Sequence, residues 1–201
     1  MDLVIQEGKT GKRYCRSNSN QSLELCDNLT KCYPCKGNRS RAIITASGLS
    51  AISVTLQGLL ISLFKNSKIN IIVSNELYPD TSRILNFLTK IYNFNMISFD
   101  VTNQDHLVNI FENEVKSEVN ILYFESASNP NGNIFDYSII PKLKKLSKTL
   151  HVVVDNTWLT HVIFNPFEYY ADFIIISMTK YSSGGNCVAG AIICKNAFYG
   201  K

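Results

Sequence analysis

The sequence predicts an α/β fold of three layers, a mostly parallel sheet covered by helices. Two patterns lead there. Short apolar runs such as Ile69 to Val73, Asn120 to Glu125 and Phe173 to Ser177 alternate with segments whose apolar residues recur at helical spacing. Within the runs, apolar residues occupy consecutive positions, as expected of strands buried on both faces. A third observation concerns function. Two strands run into Asp155-Asn156-Thr157 and Ser177-Met178-Thr179-Lys180, so polar side chains collect at the sheet edge where such folds bind ligands.

Residues 1–40 are polar, rich in Gly, Asn and Ser, and lack a sustained period, which predicts an extended arm with at most one short helix around Leu23 to Leu29. Residues 41–201 read as one α/β domain. Ser47-Gly48 opens its first helix, marked by Leu49, Ile52, Leu56, Leu59, Leu60 and Leu63. Ile69 to Val73 is a buried strand, and Ile84, Leu85, Leu88 and Ile91 mark the next helix. Strands at Asn95 to Phe99 and Asn120 to Glu125 flank a helix at Leu107 to Val115. A helix at Ile139 to Leu146 follows, then strands at Val152 to Asp155, Phe173 to Ser177 and Val188 to Cys194. The chain stops at Lys201 with neither a closing helix nor a second domain.

With 201 residues, 45% hydrophobic and 18% charged, the chain is long and apolar enough for a sizeable core. Its net charge of +4 comes from scattered lysines and arginines, so no nucleic-acid footprint is predicted. The longest apolar-rich run, Leu49 to Phe64, is interrupted by polar residues and too short for a bilayer, and the amino terminus has no secretory pattern. A soluble cytoplasmic protein without a membrane partner is expected. Cys15, Cys26, Cys32, Cys35, Cys187 and Cys194 read as reduced thiols. Cys32-Tyr-Pro-Cys35 has the spacing of half a zinc site, but no second pair completes it, so no metal is predicted.

The polar strand ends carry the chemistry. A carboxylate, two hydroxyls and an amine converging on one crevice suit pyridoxal 5′-phosphate, which needs an amine for its aldehyde, an anion at its ring nitrogen and donors for its phosphate. Lys180, beside Ser177 and Thr179, supplies the amine in a crevice expected to be partly desolvated; taken alone it could equally be a solvated loop lysine. Asp155 supplies the anion, or simply caps a following helix. Gly48 and Leu49 open a helix whose free N–H groups can hold an anion, though many Ser-Gly pairs are only helix starts. Tyr78 could stack on a ring or serve as packing, and Asn129 could donate to a ring hydroxyl or form a turn before Pro130.

These motifs, in this order, resemble the pyridoxal-phosphate enzymes of cysteine and methionine metabolism, the trans-sulfuration group of cystathionine synthases and lyases and methionine lyase. The likeness runs through Tyr14-Cys15-Arg16, Ser47 to Ile52, Leu77-Tyr78 with Thr81, Glu125 to Pro130, Val152 to Thr157 and Ser177 to Tyr181. It implies Lys180 as the lysine bound to the cofactor as an aldimine, Asp155 on the ring nitrogen, Tyr78 stacked on the ring and moving protons with Lys180, and Asn129 near the ring hydroxyl. Gly48, Leu49, Thr157, Ser177 and Thr179 complete the cofactor site. Tyr14 and Arg16 are implied to reach the phosphate of a neighbouring subunit in a homodimer or homotetramer.

The implied activity is carbon–sulfur lyase or transferase chemistry on a sulfur amino acid. The chain departs from the pattern after Lys180-Tyr181, where Gly184-Gly185-Asn186-Cys187 replaces the usual Gly-His-Ser-Asp, and at Ser19-Asn20-Gln21 in place of Asn-Pro-Thr. By the same resemblance, the carboxy-terminal domain whose arginine clamps the substrate carboxylate is expected to be missing and the α/β domain incomplete. The alternatives are a noncatalytic remnant serving as a binding or regulatory subunit and another fold-type-I activity such as an aminotransferase.

Overall fold

A computed structural model describes residues 19–37, 39–63, 68–115 and 119–195. Seven strands form one sheet: β1 (Ser40–Thr45), β2 (Ile69–Ser74), β3 (Asn95–Phe99), β4 (Val119–Glu125), β5 (Leu150–Asp155), β6 (Phe173–Ser177) and β7 (Gly190–Lys195). Their spatial order is β1-β7-β6-β5-β4-β2-β3. The pairs from β3 across to β6 are parallel, whereas β7 runs antiparallel to both β6 and β1. The expected mostly parallel sheet is therefore present, with an antiparallel margin.

The helices divide between the two faces. Helix α1 (Asn20–Cys32) packs on β1, and α2 (Gly48–Leu63) packs on β6 and β7. Helices α3 (Pro79–Leu88), α4 (Gln104–Asn109), α5 (Ile140–Leu146) and the short α6 (Thr160–Ile163) follow. Alternate residues of the strands feed separate cores. Ile71, Val73, Ile121, Tyr123, Val153 and Ile175 join the α2 and α3 side chains on one face. Ile72, Leu122, Phe124, Val152, Val154 and Ile174 join α4, α5 and the end of α1 on the other. Consecutive apolar residues are needed for this because the side-chain period of two supplies both cores from the same strand.

Three elements differ from the sequence reading. The arm contains a full 13-residue helix, α1, whose N-cap Ser19 accepts the Ser22 N–H at 3.0 Å. Its apolar period is weak because, of its own residues, only Leu29 is buried. Strand β1 went unpredicted: it is an edge strand with a single buried residue, Ala42, and begins Ser40-Arg41. The helix expected from Ile84 to Ile91 begins earlier, with Pro79 in its first turn, and stops at Leu88, leaving Ile91 exposed.

At the amino edge of the parallel strands, Asp172 is buried and accepts from Val152 N–H at 3.0 Å, Lys144 at 3.2 Å and Lys195 at 3.1 Å, tying β5, α5 and β7 together. At the opposite edge the decisive contact is steric. A Cβ on Gly190 would lie 2.2 Å from the Ser47 carbonyl oxygen, and one on Gly48 would lie 2.6 Å from Ser177 Cβ. The backbone at the start of α2 thus rests directly on the ends of β6 and β7. Gly190→Ala should push α2 away and lower stability by about 2 to 4 kcal/mol, the range for overpacking a closed site plus its backbone shift. Urea denaturation checks it, and a loss below about 0.5 kcal/mol would mean that the helix is not seated this closely.

Candidate functional site

The carboxyl ends of β4, β5 and β6 and the start of α2 enclose a cavity of about 690 Å³, lined by Gly48, Leu49, Tyr78, Asn129, Asp155, Thr157, Ser177, Thr179 and Lys180. These are all of the sequence-predicted site residues within the described part of the chain. Tyr14 and Arg16 lie outside the described residues. The lining also includes Glu125, Trp158 and Tyr181, which sequence reasoning had not placed in the site.

The register explains the gathering. Glu125 is the direct partner of Asp155 across the β4–β5 ladder, and Ser177 is opposite Gly190 across β6–β7. Asp155 lies on the floor. It accepts the Thr157 N–H at 3.0 Å, a local turn and not a helix cap, since α6 begins only at Thr160. Burial raises the Asp155 carboxyl above its usual range, and the hydroxyl and N–H of Thr157 oppose that rise. The Thr157 oxygen also accepts the Ser177 N–H at 2.8 Å, which joins the ends of β5 and β6.

Glu125 is only 5% exposed. Its carboxylate accepts the Tyr78 N–H at 2.5 Å and also the Asn129 N–H. Burial, and then the charge of Asp155, push it up to about 7, against the pull of those two amides. A glutamate at a strand end, in register with a candidate aspartate, is the signal that could have identified it from sequence.

The remaining side chains refine the expected roles. Ser47 caps α2, accepting the Ser50 N–H at 3.0 Å, while the Gly48 and Leu49 amides belong to the first turn, which has no acceptors inside the helix. Gly48 is required less for freedom of φ than for the approach of Ser177, whose Oγ would lie 2.9 Å from an added Cβ. Thr179 departs from its expected role: its hydroxyl donates to the Ala189 carbonyl at 3.3 Å and accepts the Ala189 N–H at 3.2 Å, so it stabilises the loop before β7.

Lys180 is held in a turn by its N–H to the Ser177 carbonyl at 3.3 Å, and its side chain is exposed at the mouth. No described residue covers that rim. Tyr78 directs its hydroxyl to Asp80 at 3.2 Å, and that hydrogen bond and charge raise its pKa. A second carboxylate, Glu76, accepts from Ser128, Asn131 at 2.8 Å and Asn133, fastening the loop after β4 to the loop after β2.

The donor set fits pyridoxal phosphate: helix-terminal amides and a serine hydroxyl for a phosphate, a buried acid for a ring cation, an amine for an aldehyde, and an aromatic ring at one wall. A family model described as Cys/Met metabolism PLP-dependent enzyme matches residues 2–201. The chain belongs to this family. Its cofactor is pyridoxal phosphate, as the motifs led one to expect.

Similar proteins include a cystathionine beta-lyase of Schizosaccharomyces pombe, 29% identical over 153 residues, which cover 76% of this chain and 37% of that protein. A methionine gamma-lyase of Arabidopsis thaliana is 33% identical over 155 residues, covering 75% of this chain and 32% of its own. Among solved structures, cystathionine gamma synthase from Xanthomonas oryzae pv. oryzae, in complex with cystathionine, has a TM-score of 0.77 and 27% identity, over 95% of this chain and 47% of the other. A putative O-acetylhomoserine (thiol)-lyase from Campylobacter jejuni, which carries a pyridoxyl-lysine phosphate, has a TM-score of 0.72 and 28% identity, over 90% and 42%. The chain spans about a third of the length of the curated relatives it matches. Among the described residues, no group of three or more His, Cys, Asp or Glu could hold a metal ion, and no helix is long and apolar enough to cross a membrane.

The raised carboxyl of Glu125 has a measurable consequence. The folded state holds this proton more tightly than the unfolded chain, whose glutamate titrates near 4.5, so stability is greatest below 4.5 and falls as pH rises to about 7. Glu125→Gln, always neutral, should gain on the wild type across that window and reach an advantage of about 3 kcal/mol at slightly alkaline pH. Urea titrations of the cofactor-free protein between about pH 4.5 and 8 check it; a difference independent of pH would show that Glu125 titrates as an ordinary carboxylate.

Proposed function

We propose that this chain forms the cofactor-binding domain of an enzyme that makes or breaks the carbon–sulfur bond of a cystathionine-like amino acid, with Lys180 joined to the cofactor aldehyde. The observation that carries this reading is the placement of Asp155 on the floor and Lys180 at the mouth of one cavity, beside the amino terminus of α2. The bound cofactor supplies the electron sink for the pair left at a substrate's α-carbon.

The residues divide the remaining work. The Gly48 and Leu49 amides, the helix dipole and the Ser177 hydroxyl hold a phosphate. Asp155, kept in place by the Thr157 N–H, faces a ring cation; at ~4 Å and an effective dielectric of ~20 the attraction is about 4 kcal/mol. Tyr78 offers its ring as a wall and Asn129 an amide to the ring hydroxyl. Lys180, exposed at the mouth, accepts and returns the substrate's α-proton at its Nζ. Tyr78 joins in proton movement once its hydroxyl leaves Asp80.

The proposed assembly is a homodimer or homotetramer in which Tyr14 and Arg16 reach a neighbour's phosphate. The exposed Lys180 and the exposed aromatic rings of Trp158 and Tyr181 at the cavity support a covering partner at the mouth. Free thiols at Cys26, Cys32, Cys35, Cys187 and Cys194 support work in a reducing compartment such as the cytoplasm.

The protein given pyridoxal phosphate and then borohydride should carry a pyridoxyl label on the peptide containing Lys180. Mass mapping decides the matter, and a label on another lysine, or none on folded protein, refutes the assignment. Asp155→Asn should keep the fold, because an amide oxygen can still accept the Thr157 N–H, yet weaken cofactor binding by ten-fold or more, a loss of about 1.4 kcal/mol at least. Unchanged affinity in an absorbance titration would mean that Asp155 serves only the turn.

A further inference from the structure

The two side chains proposed to touch the cofactor ring, Tyr78 and Asn129, sit on different loops, one after β2 and the other after β4. Tyr78 is the N-cap residue of α3, and Asn129 lies in a loop closed by the Ser128 N–H on the Asn133 carbonyl at 2.9 Å. Besides Glu76, which fastens the same two loops at the surface, a buried carboxylate joins them at the residues nearest the ring. Glu125 accepts the backbone N–H of Tyr78 at 2.5 Å and that of Asn129, and across the β4–β5 ladder it is paired with Asp155.

We propose that Glu125 is a positioning residue for the cofactor ring, clamping the Tyr78 and Asn129 loops and losing its proton to solvent when a cationic ring pairs with Asp155. The inference rests on the reading of Asp155 and Lys180 given above.

Two N–H donors aimed at one carboxyl favour its ionised form, so the clamp is strongest when Glu125 is charged. Burial and the neighbouring Asp155 favour the neutral form and hold the group close to neutrality in the cofactor-free protein. A ring cation on Asp155 cancels much of that repulsion. Glu125 then ionises, its proton leaves to solvent, and both ring-contacting loops tighten around the ligand that triggered the change.

The charged and titratable groups around Glu125 are consistent with this direction. Asp155 faces it from β5, and the buried Tyr123 hydroxyl, which stays neutral because burial raises its pKa well above the usual value, lies on its own strand. From the loop before α3 it meets the Tyr78 amide, with the Tyr78 phenol turned away to Asp80, which Arg83 pairs at 2.6 Å. From the turn after β4 it meets the Asn129 amide, and from the loop after β6 the cavity receives Lys180. Lys180 is common to all variants below, so its contribution cancels in their ratios.

Pyridoxamine 5′-phosphate is the probe, because it carries the ring and phosphate but cannot join Lys180. Its dissociation constant is measured for the wild type, Glu125→Gln and Glu125→Asp between about pH 5.5 and 7.5. Proton release on binding makes the wild type tighten relative to Glu125→Gln by about five- to ten-fold across that range, with Glu125→Asp weaker overall but keeping the wild-type slope. A Gln-to-wild-type ratio constant with pH, in protein that still takes a borohydride label on Lys180, overturns the role of Glu125 and leaves the cofactor site intact. Wild-type protein that binds neither pyridoxal phosphate nor the probe overturns both. Should Glu125→Gln fail to fold, calorimetry of the wild type in two buffers of different ionisation enthalpy counts the protons directly. Net release on probe binding near pH 6.5 supports the proposal, and none overturns it.

Discussion

The close approach of the Ser47-Gly48 backbone to Gly190 and Ser177 is the constraint on which the site depends. Two positions without side chains let a helix of 16 residues land end-on at the carboxyl end of β6 and the amino end of β7. Its first-turn amides and the positive end of its dipole then lie beside Ser177 and near Lys180. A methyl group at either glycine would meet backbone or a side-chain stem, neither of which can swing away. The electrostatics of the cavity are therefore fixed by packing before any ligand enters it.

A second consequence of the sheet is the neighbouring pair of acids. Parallel pairing in register sets Glu125 beside Asp155, and low exposure makes their two charges hard to sustain together. The chain answers with local donors: Thr157 for Asp155, and the Tyr78 and Asn129 amides for Glu125. Those donors belong to the loops that shape the cavity, so charge and loop position are linked. At the other edge of the sheet, Asp172 is compensated by two lysines and an amide, a scaffold arrangement remote from the chemistry.

Much of this was legible in the residues. Consecutive apolar runs announced strands buried on both faces, and the polar residues closing β5 and β6 announced the edge at which a ligand would sit. Less legible were elements whose burial is slight. Helix α1 buries only Leu29 and β1 only Ala42, so neither writes a period strong enough to read. The Cys32-x-x-Cys35 spacing is occupied by packing: both residues, like Cys26, lie against the core beneath the sheet. Thr179 shows the limit of motif reasoning, because its hydroxyl is already engaged with the Ala189 backbone ten residues on.

The sequence by itself determined the fold class and the family, because alternating periodicity and ordered motifs are local properties of the chain. Only the tertiary structure decided which residues share a cavity and what state they hold. Glu125 and Asp155 are 30 positions apart and become neighbours through strand register, while Gly48 and Gly190 become one contact through the seating of a helix on the sheet. Proton affinity, too, follows from burial and from donors on other loops. A glutamate's place in the chain cannot specify it; the dielectric and the hydrogen bonds around its carboxyl can.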